Sequence, residues 1–147
     1  MKACCVAAIA LWGCACSTPQ PTARAVQAAG SPAPIGPYSP AIARGDFLFV
    51  SGQTGRDPSS GVLVSGGIGA QTTQVLANVR ALLAAEGLDF QDVVLVNVYL
   101  IDLGEFDAFN KIYAGAFSSR PPARATIGVA ALPGGARVEL QCTAMRP

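Results

Sequence analysis

Two charged residues near the end of the chain are the strongest candidates for chemistry. Arg124 lies in the run PPARAT at 121–126, and Glu139 lies in RVEL at 137–140. The sequence has no histidine, so catalysis must use a carboxylate, an arginine, a hydroxyl or the backbone. An arginine fork matches a carboxylate bidentately, and a glutamate can hold or deprotonate a water. The pair predicts a small-carboxylate binding or hydrolytic site, with a salt bridge on a solvated sheet edge as the alternative.

Composition restricts the classes of function further. The chain has 147 residues, of which 51% are hydrophobic and only 13% are charged, and this length suits one domain. Its net charge is +1 without a lysine or arginine cluster, which disfavours nucleic-acid binding. The missing histidine excludes Cys/His zinc sites and Ser-His-Asp triads. Cys142 is the only cysteine of the body, so we expect neither an internal disulfide nor a metal site there.

The first sixteen residues resemble an export signal. Lys2 precedes an apolar run at 3–12, which is too short to cross a bilayer and typical of a signal-peptide core. The next residues, LWGC at 11–14, resemble a bacterial lipobox, which predicts lipidation of Cys14. Cleavage before Cys16 and an ordinary secretory cut after Ala15 are the alternatives. The predicted location is outside the cytoplasm: periplasmic and anchored to the outer membrane by lipid, or secreted.

The rest of the chain divides into a tether and a body. Residues 17–33 contain prolines and small polar residues without periodicity, which predicts a flexible tether. The body spans 34–147. Its predicted strands cover 39–43, 46–52, 93–101, 124–130 and 137–145.

Two helices separate these strands. Apolar residues recur at helical spacing from Ile68 to Leu83, and Gly87 ends this helix. Asp102 and Glu105 resemble a capping box for the second helix, whose apolar stripe is Phe106, Phe109, Tyr113 and Phe117.

The predicted fold class is α+β, with the order β-β-α-β-α-β-β and one sheet packed on two helices. The strand at 93–101 is apolar on both faces: 94, 96, 98 and 100 on one, 93, 95, 99 and 101 on the other. Two helices cover only one face of a sheet, so the other face predicts a partner subunit.

Two further segments are candidates for ligand contact. In IGPY at 35–38, either the tyrosine caps a core edge after a Gly-Pro turn or it faces a ligand. In SGQ at 51–53, the glycine either ends a strand or lets backbone N–H groups approach a ligand. The residues alone leave both choices open.

Six sequence blocks resemble the RidA/YjgF family of reactive-intermediate (enamine/imine) deaminases. They are IGPYS at 35–39, FVSGQ at 49–53, Asp102-Leu103 with Phe106 and Asn110, PARA at 122–125, ALP at 131–133 and Val138-Glu139. Their order and spacing are those of the family, and together they cover about residues 34–146. The resemblance implies a chorismate-mutase-like fold, homotrimers and active sites in clefts between subunits. It also implies cofactor-free hydrolysis of 2-imino or enamino acids to 2-keto acids and ammonia.

The resemblance assigns roles to individual residues. Arg124 matches the arginine that binds the substrate carboxylate, and Glu139 matches the acid that orients or activates water. Thr126 stands where many members have cysteine, and its backbone carbonyl remains available to hold water or ammonia. Other matched cleft positions are Tyr38, Ser51, Gly52 and Asn110.

Some features depart from the family pattern or leave alternatives. Gln141 replaces an acidic residue that many relatives have, and an exported enzyme needs an imine source outside the cytoplasm or a different substrate. A non-enzymatic protein that binds small carboxylates fits the same residues. An endoribonuclease, an activity also ascribed to some relatives, fits poorly with a nearly neutral chain without histidine.

Overall fold

The computed structural model describes residues 22–147, and its sheet begins with a strand that the sequence did not predict. Strand β1 (Arg24–Val26) pairs antiparallel with β2 (Ala41–Arg44), with Ala25 opposite Ile42. The side chains of Val26 and Ser31 are buried. The prediction of a flexible tether is therefore wrong from residue 24 onward, because pairing and burial fix this segment. The predicted signal peptide and Cys14 lie outside the described residues.

The other elements follow the predicted order. They are β3 (Phe47–Thr54), α1 (Gly67–Ala84), β4 (Val93–Leu100), α2 (Phe106–Ala116), β5 (Ala123–Gly128) and β6 (Val138–Met145). The six strands form one sheet in the order β1-β2-β3-β6-β4-β5. Only the β4–β5 pair among them is parallel. The predicted α+β order is confirmed, with β1 added in front.

Helix α1 forms and ends as its sequence pattern predicts. The apolar stripe is buried, with Val75, Val79 and Leu82 fully inaccessible. Gly87 adopts a positive φ of 69°, a conformation that glycine enters without a Cβ clash. The Leu88 N–H then donates to the Leu83 carbonyl oxygen at 3.0 Å, which satisfies a carbonyl at the helix end.

Helix α2 begins differently from the prediction. Asp102 caps a short 3-10 turn by accepting a hydrogen bond from the Gly104 N–H at 2.8 Å. Glu105 instead binds Arg137 across the fold, with 2.8 Å between Oε1 and Nη2. The predicted capping box is therefore wrong, because a tertiary ion pair takes the second carboxylate.

The two helices cover one face of the sheet and leave the other open. Val96, Val98 and Leu100 of β4 are fully buried on the helix side. The open face carries large apolar side chains that are 41–51% exposed, namely Phe47, Phe49, Leu95, Ile127 and Met145. The uncovered apolar face is thus present as predicted.

The predicted alternation of β4 fails at its first residues. A register shift lies between Val93 and Leu95, so Val93 is buried with the helix side although the pattern assigned it to the other face. An inserted residue of this kind reverses the alternation on one side of it. In residues 22–147, no helix is both long and apolar enough to cross a membrane.

Candidate functional site

Arg124 and Glu139 lie on opposite faces of the sheet. Arg124 is paired with Val96, whose side chain points toward the helices, and Glu139 is paired with Tyr99 on the open side. Residues paired across a sheet share a face. Neither charge forms an ion pair with another residue of 22–147. The alternative of a surface Arg–Glu salt bridge is therefore wrong for the single chain.

Glu139 lies in a cleft of about 280 Å³ whose lining also includes Tyr38, Ser51 and Gly52. These residues come from the segment before β2, from β3 and from β6. Three of the predicted cleft positions are thus brought together with the predicted water-activating acid. We call this the Glu139 cleft.

A bulge in β3 creates the space for the Glu139 carboxylate. Val50 pairs with Cys142 and Gln53 with Leu140, so Ser51 and Gly52 stand opposite one residue of β6. A Cβ on Gly52 would lie 1.9 Å from Glu139 Oε1. Bulges of this kind re-aim side chains next to functional sites. The position of the carboxylate therefore requires glycine at 52. This is a more specific reason for the glycine than the alternative that it only ends a strand.

The Glu139 carboxylate is partly buried, and no ion pair within residues 22–147 offsets its loss of hydration. Desolvation raises its pKa above the ordinary value of 4.5. A carboxylate with a raised pKa is a stronger base than an exposed glutamate. The position suits proton transfer to or from a water molecule in the cleft.

Hydrogen bonds hold the other polar groups of the Glu139 cleft. Ser51 Oγ donates to the Ser39 carbonyl oxygen at 2.7 Å, and Gln53 Nε2 donates to the Ser51 carbonyl oxygen at 3.1 Å. Tyr38 is 47% exposed, and its hydroxyl oxygen accepts a hydrogen bond from the Ile35 N–H at 3.3 Å. The tyrosine thus faces the cleft, and the interpretation that it caps a core edge is wrong.

Arg124 lies in a second cleft, of about 450 Å³, together with Asn110 and Tyr113. We call it the Arg124 cleft. The guanidinium carbon is 4.6 Å from the centroid of the Tyr113 ring, and 5.6 and 5.7 Å from those of Phe106 and Phe109. Cation–π attraction to these rings holds the charge without neutralising it. Its hydrogen-bonding fork remains suited to an anionic ligand.

The groups beside Arg124 are neutral at ordinary pH. Burial raises the pKa of Tyr113 to about 12, against the opposing effect of nearby Arg124. Thr126 shares the face of Arg124, and its buried Oγ1 has no hydrogen-bond partner within the described part of the chain. Thr126 lines neither cleft, so its predicted ligand role stays a prediction.

Three polar residues at the clefts were not singled out from the sequence. Gln53 and Arg56 line the Glu139 cleft, and Tyr113 lies under Arg124. Gln53 belongs to the block FVSGQ, which gave a signal for it. Tyr113 lies in the apolar stripe of α2, so the sequence does not distinguish it from a core residue. Arg56 belongs to no recognised motif. Within 22–147, no group of His, Cys, Asp or Glu side chains has a metal-binding arrangement.

Comparisons with known proteins agree with this architecture. Residues 28–146 match the family described as Endoribonuclease L-PSP. A human protein named 2-iminobutanoate/2-iminopropanoate deaminase is 45% identical over 123 residues, which is 84% of this chain and 90% of the human protein. The structure of RidA from the Antarctic bacterium Psychrobacter sp. PAMC 21119 has a TM-score of 0.80 at 38% identity, covering 83% of this chain and 98% of that one.

A further solved structure contains a small amino acid. The structure of Escherichia coli TdcF with bound serine has a TM-score of 0.80 at 29% identity, covering 84% of this chain and 99% of that chain. The match over nearly whole chains confirms the predicted chorismate-mutase-like fold class.

Proposed function

Because the chain belongs to the Endoribonuclease L-PSP family, which is the RidA/YjgF family, we propose that it hydrolyses 2-imino acids to 2-keto acids and ammonia. The observation that carries the proposal is a pair of charges without an ion-pair partner among residues 22–147. They are the Arg124 guanidinium over the aromatic rings of α2 and the Glu139 carboxylate with its raised pKa. Relatives named 2-iminobutanoate/2-iminopropanoate deaminase support the substrate class.

The reaction requires few groups beyond these two. A protonated imine carbon is already electrophilic, so a bound carboxylate and a positioned water supply most of the catalysis. Arg124 binds the substrate carboxylate. Glu139 takes a proton from the water as its oxygen bonds to the imine carbon, and then returns a proton to the nitrogen. Glu139 then removes the proton of the new hydroxyl group as the carbon–nitrogen bond breaks, which gives the keto acid and ammonia, and that proton passes to solvent.

The two charges can serve one substrate only if copies of the chain assemble. Opposite faces of the sheet keep Arg124 and Glu139 apart within one copy. The exposed apolar side chains of the open face supply a surface for such an assembly. We therefore propose a cyclic homotrimer in which the Glu139 cleft of one copy meets the Arg124 cleft of the next.

A trapping assay tests the activity. An amino-acid oxidase generates the imino acid, and semicarbazide traps whatever is not hydrolysed. The purified protein, beginning at residue 22 so that β1 is kept, should lower semicarbazone formation, and Arg124→Ala should abolish this effect. The matched control is Arg80→Ala, because Arg80 also stacks on an aromatic ring, 5.0 Å from the Phe90 centroid, but lines neither cleft. Saturable keto-acid binding without turnover would instead indicate a non-enzymatic carboxylate-binding protein.

Export and lipidation form a separate part of the proposal. The apolar run and the LWGC sequence at 11–14 support attachment of lipid at Cys14 and a position outside the cytoplasm. The full chain expressed in a double-membraned bacterium should incorporate labelled palmitate and fractionate with the outer membrane. Cys14→Ser should lose the label, whereas Cys16→Ser should keep it. Label retained by Cys14→Ser and lost by Cys16→Ser would assign the anchor to Cys16.

A further inference from the structure

The Glu139 cleft contains a second charge that the proposed hydrolysis does not use. Arg56 follows the end of β3 and lines this cleft with Tyr38, Ser51 and Glu139. Its Nε donates to the Gly61 carbonyl oxygen at 2.7 Å. This bond fixes the guanidinium at the cleft wall, where Arg56 is partly buried.

The positive charge of Arg56 is not neutralised by the described residues. A guanidinium has five N–H donors, and besides the bond to Gly61 it makes one long contact, from Nη1 to the Ala33 carbonyl oxygen at 3.5 Å. Arg56 forms no ion pair within 22–147. The adjacent Asp57 carboxylate accepts hydrogen bonds from Ser59 and Ser60 instead.

Arg56 and Glu139 line one cleft without pairing, so both charges are available to a ligand. The carboxylate common to all 2-imino acids is assigned to Arg124, which leaves Arg56 without a partner on a substrate with an apolar side chain. A partly buried arginine favours a second carboxylate, which it can bind with two parallel hydrogen bonds.

We propose that Arg56 makes the site selective for 2-imino acids that carry a second carboxylate on their side chain. This inference rests on the proposed function. Arg124 would bind the first carboxylate, Glu139 would face the imine carbon, and Arg56 would bind the carboxylate at the far end. The preferred substrates are then products of two-electron oxidation of acidic amino acids.

The test compares two substrates that differ in the terminal carboxylate. Glutamate and norvaline, each with a suitable oxidase, supply 2-iminoglutarate and 2-iminopentanoate for the semicarbazide assay. The wild-type protein should hydrolyse 2-iminoglutarate with the higher kcat/KM. Arg56→Met, which keeps the length of the side chain, should lower that value about 10–100-fold and leave 2-iminopentanoate unchanged.

Two further variants separate charge from structure. Arg56→Lys keeps the charge without the fork and should retain part of the preference. Arg44→Met removes the same charge from an exposed position that does not line the cleft, and should change neither substrate. A loss by Arg44→Met equal to that of Arg56→Met would assign the effect to net charge and overturn the inference.

The remaining outcomes are also decisive. Equal losses for both substrates in Arg56→Met would show that Arg56 only ties residues 33 and 61 together. An unchanged ratio would show that its charge does not select substrates. If the wild-type protein hydrolyses neither imine, the proposed function fails, and the inference is tested by calorimetry with 2-ketoglutarate and 2-ketopentanoate. Tighter 2-ketoglutarate binding that Arg56→Met abolishes would support the selectivity on its own, and equal binding would overturn it.

Discussion

The Glu139 cleft and the Arg124 cleft hold opposite charges in opposite surroundings. The Glu139 cleft is built from backbone: a bulge in β3 and a glycine without a Cβ give the carboxylate its place. In the Arg124 cleft, by contrast, aromatic side chains of α2 support the guanidinium. A carboxylate beside the bulge is placed to contact a water, whereas a guanidinium held by aromatic rings keeps its N–H donors for a carboxylate. Each cleft is suited to one half of a reaction.

The strongest test of this comparison mixes two inactive variants. Arg124→Ala and Glu139→Gln should each lower kcat/KM about 10²–10³-fold. If the clefts meet across copies in a cyclic trimer, each mixed trimer contains one intact site. Co-refolding equal amounts should then restore about one quarter of the wild-type activity in the trapping assay.

The control for this experiment is the mixture of separately folded variants before any exchange of subunits. Recovery that needs co-refolding supports a shared site. No recovery in mixed trimers, verified with two affinity tags, would mean that each copy supplies its own complete site.

The backbone origin of the Glu139 cleft is tested by Gly52→Ala. The added Cβ would lie 1.9 Å from Glu139 Oε1, so the carboxylate must move. We expect kcat/KM to fall about 10²-fold and the free energy of unfolding to fall about 1–3 kcal/mol. Gly115→Ala, which places a Cβ in open space, should leave kcat/KM unchanged. A fully active Gly52→Ala protein would contradict the assigned position of the carboxylate.

The pH dependence of kcat/KM should report the ionisation of Glu139 in the Glu139 cleft. Glu139 must be ionised to act as a base, and its pKa is raised above 4.5. Log kcat/KM should therefore decline on the acidic side at a pH above that of an ordinary glutamate. The residual activity of Glu139→Gln should lack this decline, because glutamine does not titrate. A decline that persists in Glu139→Gln would belong to another group.

Glu139→Gln should lower activity but raise the free energy of unfolding. The folded state holds the Glu139 proton more tightly than the unfolded state does, so ionised Glu139 lowers the free energy of unfolding above its folded pKa. Glu139→Gln should therefore be more stable than the wild type at neutral pH. The difference should vanish below about pH 4.5, where both states are protonated. Denaturant unfolding at several pH values measures it.

The smallest effect on catalysis is expected far from both clefts. The side chain of Glu86 is only 3% exposed and binds Arg24 of β1 and Arg146 after β6, the latter at 2.7 Å. Glu86→Gln should lower the free energy of unfolding about 1–2 kcal/mol at neutral pH with kcat/KM unchanged. Since the arginines lower the Glu86 pKa below 4.5, this difference should disappear as the pH falls through the lowered value. A kinetic effect would link β1 to the clefts.

Patterns repeated over many residues made most of the fold predictable. Each of the predictions of α1, α2 and β4 depends on several apolar side chains. One residue that departs from the pattern therefore does not change the predicted element. Strand β1 has three residues and depends on pairing with β2, which composition does not reveal. The bulge near Val93 and the Glu105–Arg137 ion pair likewise depend on contacts that form only in the folded chain.

The candidate site was predictable as a set of residues but not as an arrangement. Alternation puts residues two apart on the same face of a strand, such as Arg124 and Thr126, but it does not relate one strand to another. The relation depends on how β5 and β6 each pair with β4. That pairing puts the two charges on opposite faces of the sheet. Arg56 was missed because its relevance depends on a loop folding back to the cleft.

The Tyr113 ring beneath Arg124 has a spectroscopic consequence. The sequence has one tryptophan, Trp12, and three tyrosines, so a protein that begins at residue 22 emits only from tyrosine. Tyr38 lies in the Glu139 cleft, Tyr113 in the Arg124 cleft and Tyr99 on β4, opposite Glu139. Double Tyr→Phe variants, each keeping one tyrosine, would give each of these surfaces its own fluorescence signal without any added label.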